Sequence, residues 1–194
     1  MQNFEDKILF CCWVNLFNQY LRRMIEVQPI NLRSFRQKAR HSKRGMRRFL
    51  SKLENDTPRG IDRTIAKLET EMWQQTDCLS CANCCKTMTP TFTEKDISRI
   101  SAHLDMSPEA FREKWLRRER GGDRDWLNKT EPCQFLNLKD NKCSIYEVRP
   151  ADCAGFPHLR KKFVDYAHVH KQNVELCPAT YRLVEKMMAH ENKK

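Results

Sequence analysis

Four thiols fall within eight residues in the run Cys78-Leu-Ser-Cys81-Ala-Asn-Cys84-Cys85. A single C-x-x-C pair is common and ambiguous, whereas C-x-x-C-x-x-C-C is rare. Two intervening residues let a loop fold back so that both sulfurs reach one metal at about 2.3 Å. The third cysteine continues the wrap, as in loops that hold an iron–sulfur cluster. Adjacent cysteines tend to point apart, which predicts different roles, or different metals, for Cys84 and Cys85.

Four further cysteines follow singly, Cys133, Cys143, Cys153 and Cys177, each near a turn-forming or rigid residue. Pro178 at a first helical position makes Cys177 a helix N-cap, where the macrodipole favours the thiolate that binds metal. Arg149 and Asp152 lie near Cys143 and Cys153. They read either as a surface pair or as groups that hydrogen-bond the ligating sulfurs and backbone. His158, His168 and His170 stand between the last two cysteines and could complete a site, but an intact sulfur set does not need them.

Eight sulfurs divide in two ways. They make two four-coordinate zinc sites closed by ligands from both halves, or four hold one [4Fe–4S] cluster while the rest bind a second metal or stay as thiols. Soft thiolate ligation suits zinc and iron alike. Sulfur-only sets of four are structural or electron-transfer sites, since a catalytic zinc keeps an open position. A three-cysteine wrap with a distant Cys-Pro echoes ferredoxins and tips the reading toward iron–sulfur. No Ser-His-Asp pattern, phosphate loop or H-E-x-x-H is present, so catalysis has no direct support.

Several of these motifs occur in order: C-x-x-C-x-x-C-C, Cys133-Gln-Phe-Leu, Cys143-Ser-Ile-Tyr-Glu-Val-Arg-Pro, Ala-Asp-Cys153-Ala-Gly-Phe-Pro and Cys177-Pro. Together they resemble the YkgJ-type cysteine-cluster family over roughly residues 75 to 185. The resemblance implies a domain that chelates zinc or iron, with an undefined cellular role. A flagellin-lysine methylating enzyme carries a similar cluster, which keeps an iron–sulfur enzyme in view by analogy. Cys11 and Cys12 have no counterpart in the pattern and are left out of the site.

The elements that must position these residues are mostly helical. Leu32, Phe35, Ala39, Met46, Phe49, Leu50 and Leu53 recur at helical spacing, opposite Arg36, Lys43, Arg44, Arg47 and Arg48. Gly45 weakens that helix slightly. Asn55 to Gly60 breaks the chain, and a second helix carries Ile61, Ile65, Leu68 and Met72. These two helices are expected as a hairpin against the cysteine-rich part. Asp77 to Lys86 is expected as a loop. A capping box at Thr93 opens a helix burying Ile97, Ile100 and Leu104. Ser107-Pro108 opens another with Phe111, Trp115 and Leu116 inward, ended by Gly121-Gly122. A small β-hairpin is expected around Lys139 to Lys142, and a last helix runs from Pro178 through Tyr181, Val184 and Met188. The expected fold is mainly α with a small β-hairpin: an irregular cysteine-rich metal-binding domain, 75–194, preceded by a basic helical hairpin, 24–74, and an N-terminal extension, 1–23. Met24 is an alternative start.

Composition bounds the function. At 194 residues the chain can bury a core without staples, so small size does not explain ten cysteines. No run of about 18 apolar residues is present, so no membrane span is expected. The apolar stretch Ile8 to Val14 lacks the basic flank and cleavage site of a secretory signal. The cytoplasm is the expected location, where disulfides rarely persist and clustered cysteines are ligands or redox groups. The net charge of +11 is concentrated between Arg33 and Lys52, a stretch with no acidic residue. Nucleic acid is a partner that this basic helix, 33–52, admits, but a solvated face is the commoner explanation. The expected partner is a metal ion; no protein partner is legible.

Overall fold

The computed structural model describes residues 29–118, 126–159 and 162–192. Cys11, Cys12, the alternative start Met24 and the Gly121-Gly122 helix stop lie outside the described residues. The apolar stripe near the N-terminus produces α1 (Leu32–Asn55), capped by the Asn31 side chain, which accepts the Ser34 N–H at 3.0 Å. Gly60, left-handed at φ 73°, starts α2 (Ile61–Trp73). Two short helices follow, α3 (Cys78–Cys81) and α4 (Asn83–Thr87), then β1 (Thr91–Phe92), α5 (Glu94–His103) and α6 (Pro108–Trp115). Strands β2 (Leu116–Arg118) and β3 (Trp126–Asn128) complete a three-stranded antiparallel sheet of order β1-β3-β2, registered by Thr91 opposite Leu127 and Leu116 opposite Asn128. A 3₁₀ turn at Tyr146–Val148 leads to α7 (Ala151–Gly155), α8 (Ala167–Leu176) and α9 (Pro178–Glu191).

The fold is mainly helical with little strand, as its periodicity predicts. Local differences have physical causes. The cysteine run forms α3 and α4 rather than open loop. Asp77 caps α3, and Ala82, left-handed at φ 45°, ends α3 and restarts the chain as α4. Leu116 leaves the helix that Pro108 opens and enters β2 instead. The hairpin expected at Lys139 to Lys142 is a tight turn with one antiparallel bridge, Leu136 to Cys143. Asn137 and Asp140 side chains accept the N–H groups of Lys139 and Lys142, and Asn141 is left-handed at φ 60°.

Two hydrophobic clusters form. The larger joins Phe35, Met46, Leu50, Ile65 and Met72 of α1 and α2 to Leu183, Val184 and Met187 of α9, with Val174 of α8. The first two helices pack on α8 and α9, so α9 fills the expected hairpin. The smaller cluster gathers Phe92, Ile97, Ile100, Phe111, Leu116, Phe135 and Ile145. There Phe111 and Phe135 stack with ring centroids 6.2 Å apart.

Asp96 links the smaller cluster to α7. One oxygen accepts the Thr93 hydroxyl at 2.7 Å and the Thr93 N–H at 3.1 Å, closing the predicted capping box. The other accepts Arg99 at 2.8 Å and the Ala151 N–H at 3.1 Å, so Asp96 supplies the cap that α7 itself lacks. Burial pushes its carboxyl up, but the Thr93, Ala151 and Arg99 donors outweigh burial and hold it below the usual carboxylate value of 3.8. Its contribution to stability is therefore present above that unfolded value and lost as pH falls through the lower folded value. Asp96→Ala should cost about 2–3 kcal/mol in urea unfolding at neutral pH, and the penalty should shrink on acidification below about pH 4. At Gly45 an added Cβ would meet Met188 Cε at 4.0 Å, an ordinary contact. Gly45→Ala should raise stability by about 0.5–1 kcal/mol in the same assay.

Candidate metal centre

Each cysteine is delivered by an identifiable local device. On α3, Cys78 and Cys81 stand three residues apart and share a face. The αL residue Ala82 then turns the chain so that α4 presents Cys84 and Cys85, whose sulfurs lie 4.0 Å apart. The expected divergence of these neighbours does not occur; they touch. Asn83, buried beside them, donates to the Leu176 carbonyl at 2.6 Å and so ties α4 to the residue before Cys177. On the other side, the Cys133 N–H donates to the Cys85 carbonyl at 2.8 Å. The Leu136–Cys143 bridge sets Cys143 across from the Cys133 turn, and Asn141 donates to the Ser80 carbonyl at 2.9 Å, tying that turn to α3. Cys153 rides on α7, which Asp152 anchors by accepting the Thr91 N–H at 3.1 Å.

Six of the eight sulfur residues, Cys78, Cys84, Cys85, Cys133, Cys143 and Cys153, line one cavity of about 220 Å³. Cys81 and Cys177 are buried apart from that lining, and Cys177 packs in the larger hydrophobic cluster. All eight are free thiols. Among the described residues, no three or more His, Cys, Asp or Glu side chains already stand in the arrangement of a bound ion. The residues fit zinc or iron by donor chemistry: eight soft sulfur donors, of which Cys81 and Cys177 are buried, five are half-buried and Cys78 is exposed.

Amide donors lie near several of the sulfurs: Asn83 near Cys81, Phe135 and Leu136 near Cys133, Ile145 near Cys143, Cys85 near Cys84, and Thr180 with Ala179 near Cys177. Such donors favour the thiolate. Burial nonetheless dominates at Cys81, Cys133, Cys143 and Cys177 and pushes these thiols up. At Cys177 it outweighs the helix N-terminus, so the predicted dipole effect alone does not make a thiolate there. Burial, then the neighbouring sulfurs and acids, pushes Cys78 and Cys153 up to about 12. Cys85 alone moves down, to about 7, because the Cys84 thiol donates to it and Lys86 lies alongside. The same hydrogen bond, with burial, holds Cys84 protonated.

Arg149 and Asp152 both line the cavity, but Asp152 turns to Thr91 and to His158 Nε2 at 3.3 Å. Arg149 lies over the Tyr146 ring at 3.9 Å and donates to the Tyr146 carbonyl at 2.7 Å. No histidine is among the cavity-lining residues. His170 is fully buried against Phe163 at 4.1 Å, with burial, His158 and His168 lowering its value to about 4. His168 stacks near Tyr166. Asn83 is the positioning residue that sequence reasoning passed over; its place between two cysteines of the dense run was the available signal.

The sequence of this segment matches a family. The model of the CxxCxxCC family, "Putative zinc- or iron-chelating domain", matches residues 77–177, and the chain belongs to this family. Among its similar relatives is the uncharacterized protein MJ0661 of Methanocaldococcus jannaschii, 32% identical over 81 residues, or 42% of this chain and 43% of that protein. The chain thus spans less than half the length of that relative. No solved structure matches.

Asn83→Ala removes the tie between α4 and the Cys177 segment. It should cost about 1–2 kcal/mol of stability and weaken metal retention against a competing chelator, while leaving the number of ions bound unchanged.

Proposed function

We propose that this chain is a metal-binding protein of the cytoplasm in which Cys78, Cys81, Cys84, Cys85, Cys133, Cys143, Cys153 and Cys177 are the thiolate ligands of zinc or iron. The observation that carries the reading is the convergence of six cysteines from positions 78 to 153 on one cavity, with Cys81 and Cys177 buried outside its lining. Chelation reverses the cost of burying these thiols, since a bound cation stabilises the thiolate that burial opposes. The reducing cytoplasm is the compartment in which such free thiols persist. In this reading residues 75–194 are the metal-binding domain, 24–74 a helical brace for it, and 1–23 an extension.

An iron–sulfur cluster with an electron-transfer role is the second reading. One observation favours it: a cavity of about 220 Å³ exceeds what one ion fills, and its wall is largely apolar, with Met88, Phe92, Phe135, Ile145 and Phe156. Nucleic-acid binding through helix 33–52 is less favoured. Lys43 and Arg47 pair with Glu175 at 3.2 and 2.5 Å, and Lys52 with Glu191 at 2.8 Å, so part of the basic face is spent within the chain. No helix among the described residues is long and apolar enough to cross a membrane.

Purification without oxygen, followed by metal and sulfide analysis and an absorption spectrum, should find stoichiometric zinc or iron. Colour and acid-labile sulfide would select the cluster; colourless protein with zinc would remove it. Cys81→Ser and Cys84→Ser should each lower metal content sharply. Unchanged content in both variants, or a folded chain that takes up no transition metal, would defeat the assignment.

A further inference from the structure

Helix α1 carries its positive charge on two different faces. On its inward side Phe35, Ala39, Met46, Leu50 and Leu53 are all buried. Lys43 and Arg47 lie on one flank of that stripe and reach Glu175 of α8 at 3.2 and 2.5 Å. On the same flank Arg36 donates to the Asn83 side chain at 3.4 Å. Opposite the buried side, Arg33, Arg40, Arg44 and Arg48 share an arc of about 80° and extend over about 22 Å of helix. All four are exposed. Among the described residues no acid reaches any of them, and Arg40 bonds only the Arg36 carbonyl of its own helix, at 3.3 Å. Glu54, the first acid downstream on α1, is taken by Lys171 at 2.6 Å.

An unpaired stripe of this kind works against the helix that bears it. Arg40 with Arg44 and Arg44 with Arg48 are like charges four residues apart, which repel on one face. Solvation alone needs neither that repeat nor that residue type, since a face of mixed sign is as soluble. The planar guanidinium fork is suited to holding a carboxylate or phosphate through paired hydrogen bonds. A bilayer fits poorly, because the outward face has no apolar side chain to insert and the apolar side of α1 is buried in the larger cluster. A duplex sets its strands on both sides of a groove about 12 Å wide. The residues that would reach a second strand, Lys43 and Arg47, are committed to Glu175. Single strands need stacking platforms, and Phe35 and Phe49 of this helix pack in the core. An acidic helix meets the stripe residue for residue. Carboxylates four positions apart recur every 6 Å or about that, the same rise that separates Arg40, Arg44 and Arg48.

We propose that the outward arginine stripe of α1 is a docking surface for an acidic helix of a partner protein, whose carboxylates pair with Arg33, Arg40, Arg44 and Arg48. The surface lies outside the cysteine cavity, so docking does not depend on chelation.

The test titrates the full chain, followed by amide NMR at about 0.15 M salt, with an alanine-based helical peptide of about 20 residues bearing glutamate at every fourth position. Shifts should concentrate on residues 33 to 48 and fade as salt rises. Arg33→Gln, Arg40→Gln, Arg44→Gln and Arg48→Gln combined should lower affinity about tenfold, at unchanged helix content, because glutamine keeps the helix propensity of arginine. Removing four exposed charges elsewhere, by Arg63→Gln, Lys67→Gln, Lys95→Gln and Arg117→Gln, should lower it far less. If the stripe variant does not fold, Arg40→Gln with Arg44→Gln replaces it, with an expected loss of about threefold. Equal losses in the stripe and control variants, shifts spread over the whole surface, or no peptide binding overturn the proposal. Tighter, stripe-dependent binding of duplex DNA, duplex RNA or phosphatidylserine vesicles at the same salt also overturns it and assigns the face to that polyanion.

Discussion

Several sulfur atoms brought out of water within reach of one another cannot all ionise unless a cation joins them, and the rest of this structure is organised around that constraint. Burial pushes seven of the eight cysteines toward the thiol; only Cys85, helped by the Cys84 thiol and Lys86, moves the other way. Water relieves this crowding only in part: Phe92, Phe135 and Ile145 line the cavity, Cys177 is buried at the α8–α9 junction, and Cys78 is the cysteine left exposed. In the proposed chelation, the cost of burying donors this way is offset only when an ion is bound.

The two hydrophobic clusters are the anchors of that arrangement. Cys133 and Cys143 pack against the smaller, and Cys177 belongs to the larger, so the sulfurs stand where the two masses meet. The long first helix supports this from a distance. Its Lys43 and Arg47 grip Glu175, and Lys171 grips Glu54 at 2.6 Å, fixing α8, whose end delivers Cys177. Exposed ion pairs of this kind are individually weak, about 0–1 kcal/mol, so the apolar seam of Phe35, Met46 and Leu50 does most of the holding while the charges set register.

The legible parts of the sequence were those with long periods or strict chemistry. The stripes of α1 and α2, the Thr93 capping box, the Ser107-Pro108 start and the Cys177-Pro178 start all translate directly, because each is decided by residues within a few positions. The three strands were not legible, since two or three residues cannot display alternation and their pairing is decided by partners more than ten residues away. Helix α8 was missed for a related reason. Its buried positions include His170 and Asn173, polar types that a hydrophobic count discards. For the site, the cysteine types and spacing were readable, but not how the segments are tied together; that depends on Asn83 reaching Leu176 and Cys133 reaching Cys85, contacts that no spacing rule contains.

Cys177 shows how the two levels of reasoning combine. Its place before Pro178 argues for a thiolate, and the N–H groups of Ala179 and Thr180 do aim at its sulfur. Depth argues the other way and wins while no cation is near. These are not conflicting designs. A sulfur that is pre-aimed by amide donors, stripped of water and protonated at neutral pH loses its proton only to a cation that replaces it, so binding expels protons and weakens as acidity rises. A soft ion that prefers sulfur can meet that cost, and a hard ion that prefers oxygen cannot. In the proposed chelation, the burial that suppresses the free thiolate would therefore also set the selectivity of the site.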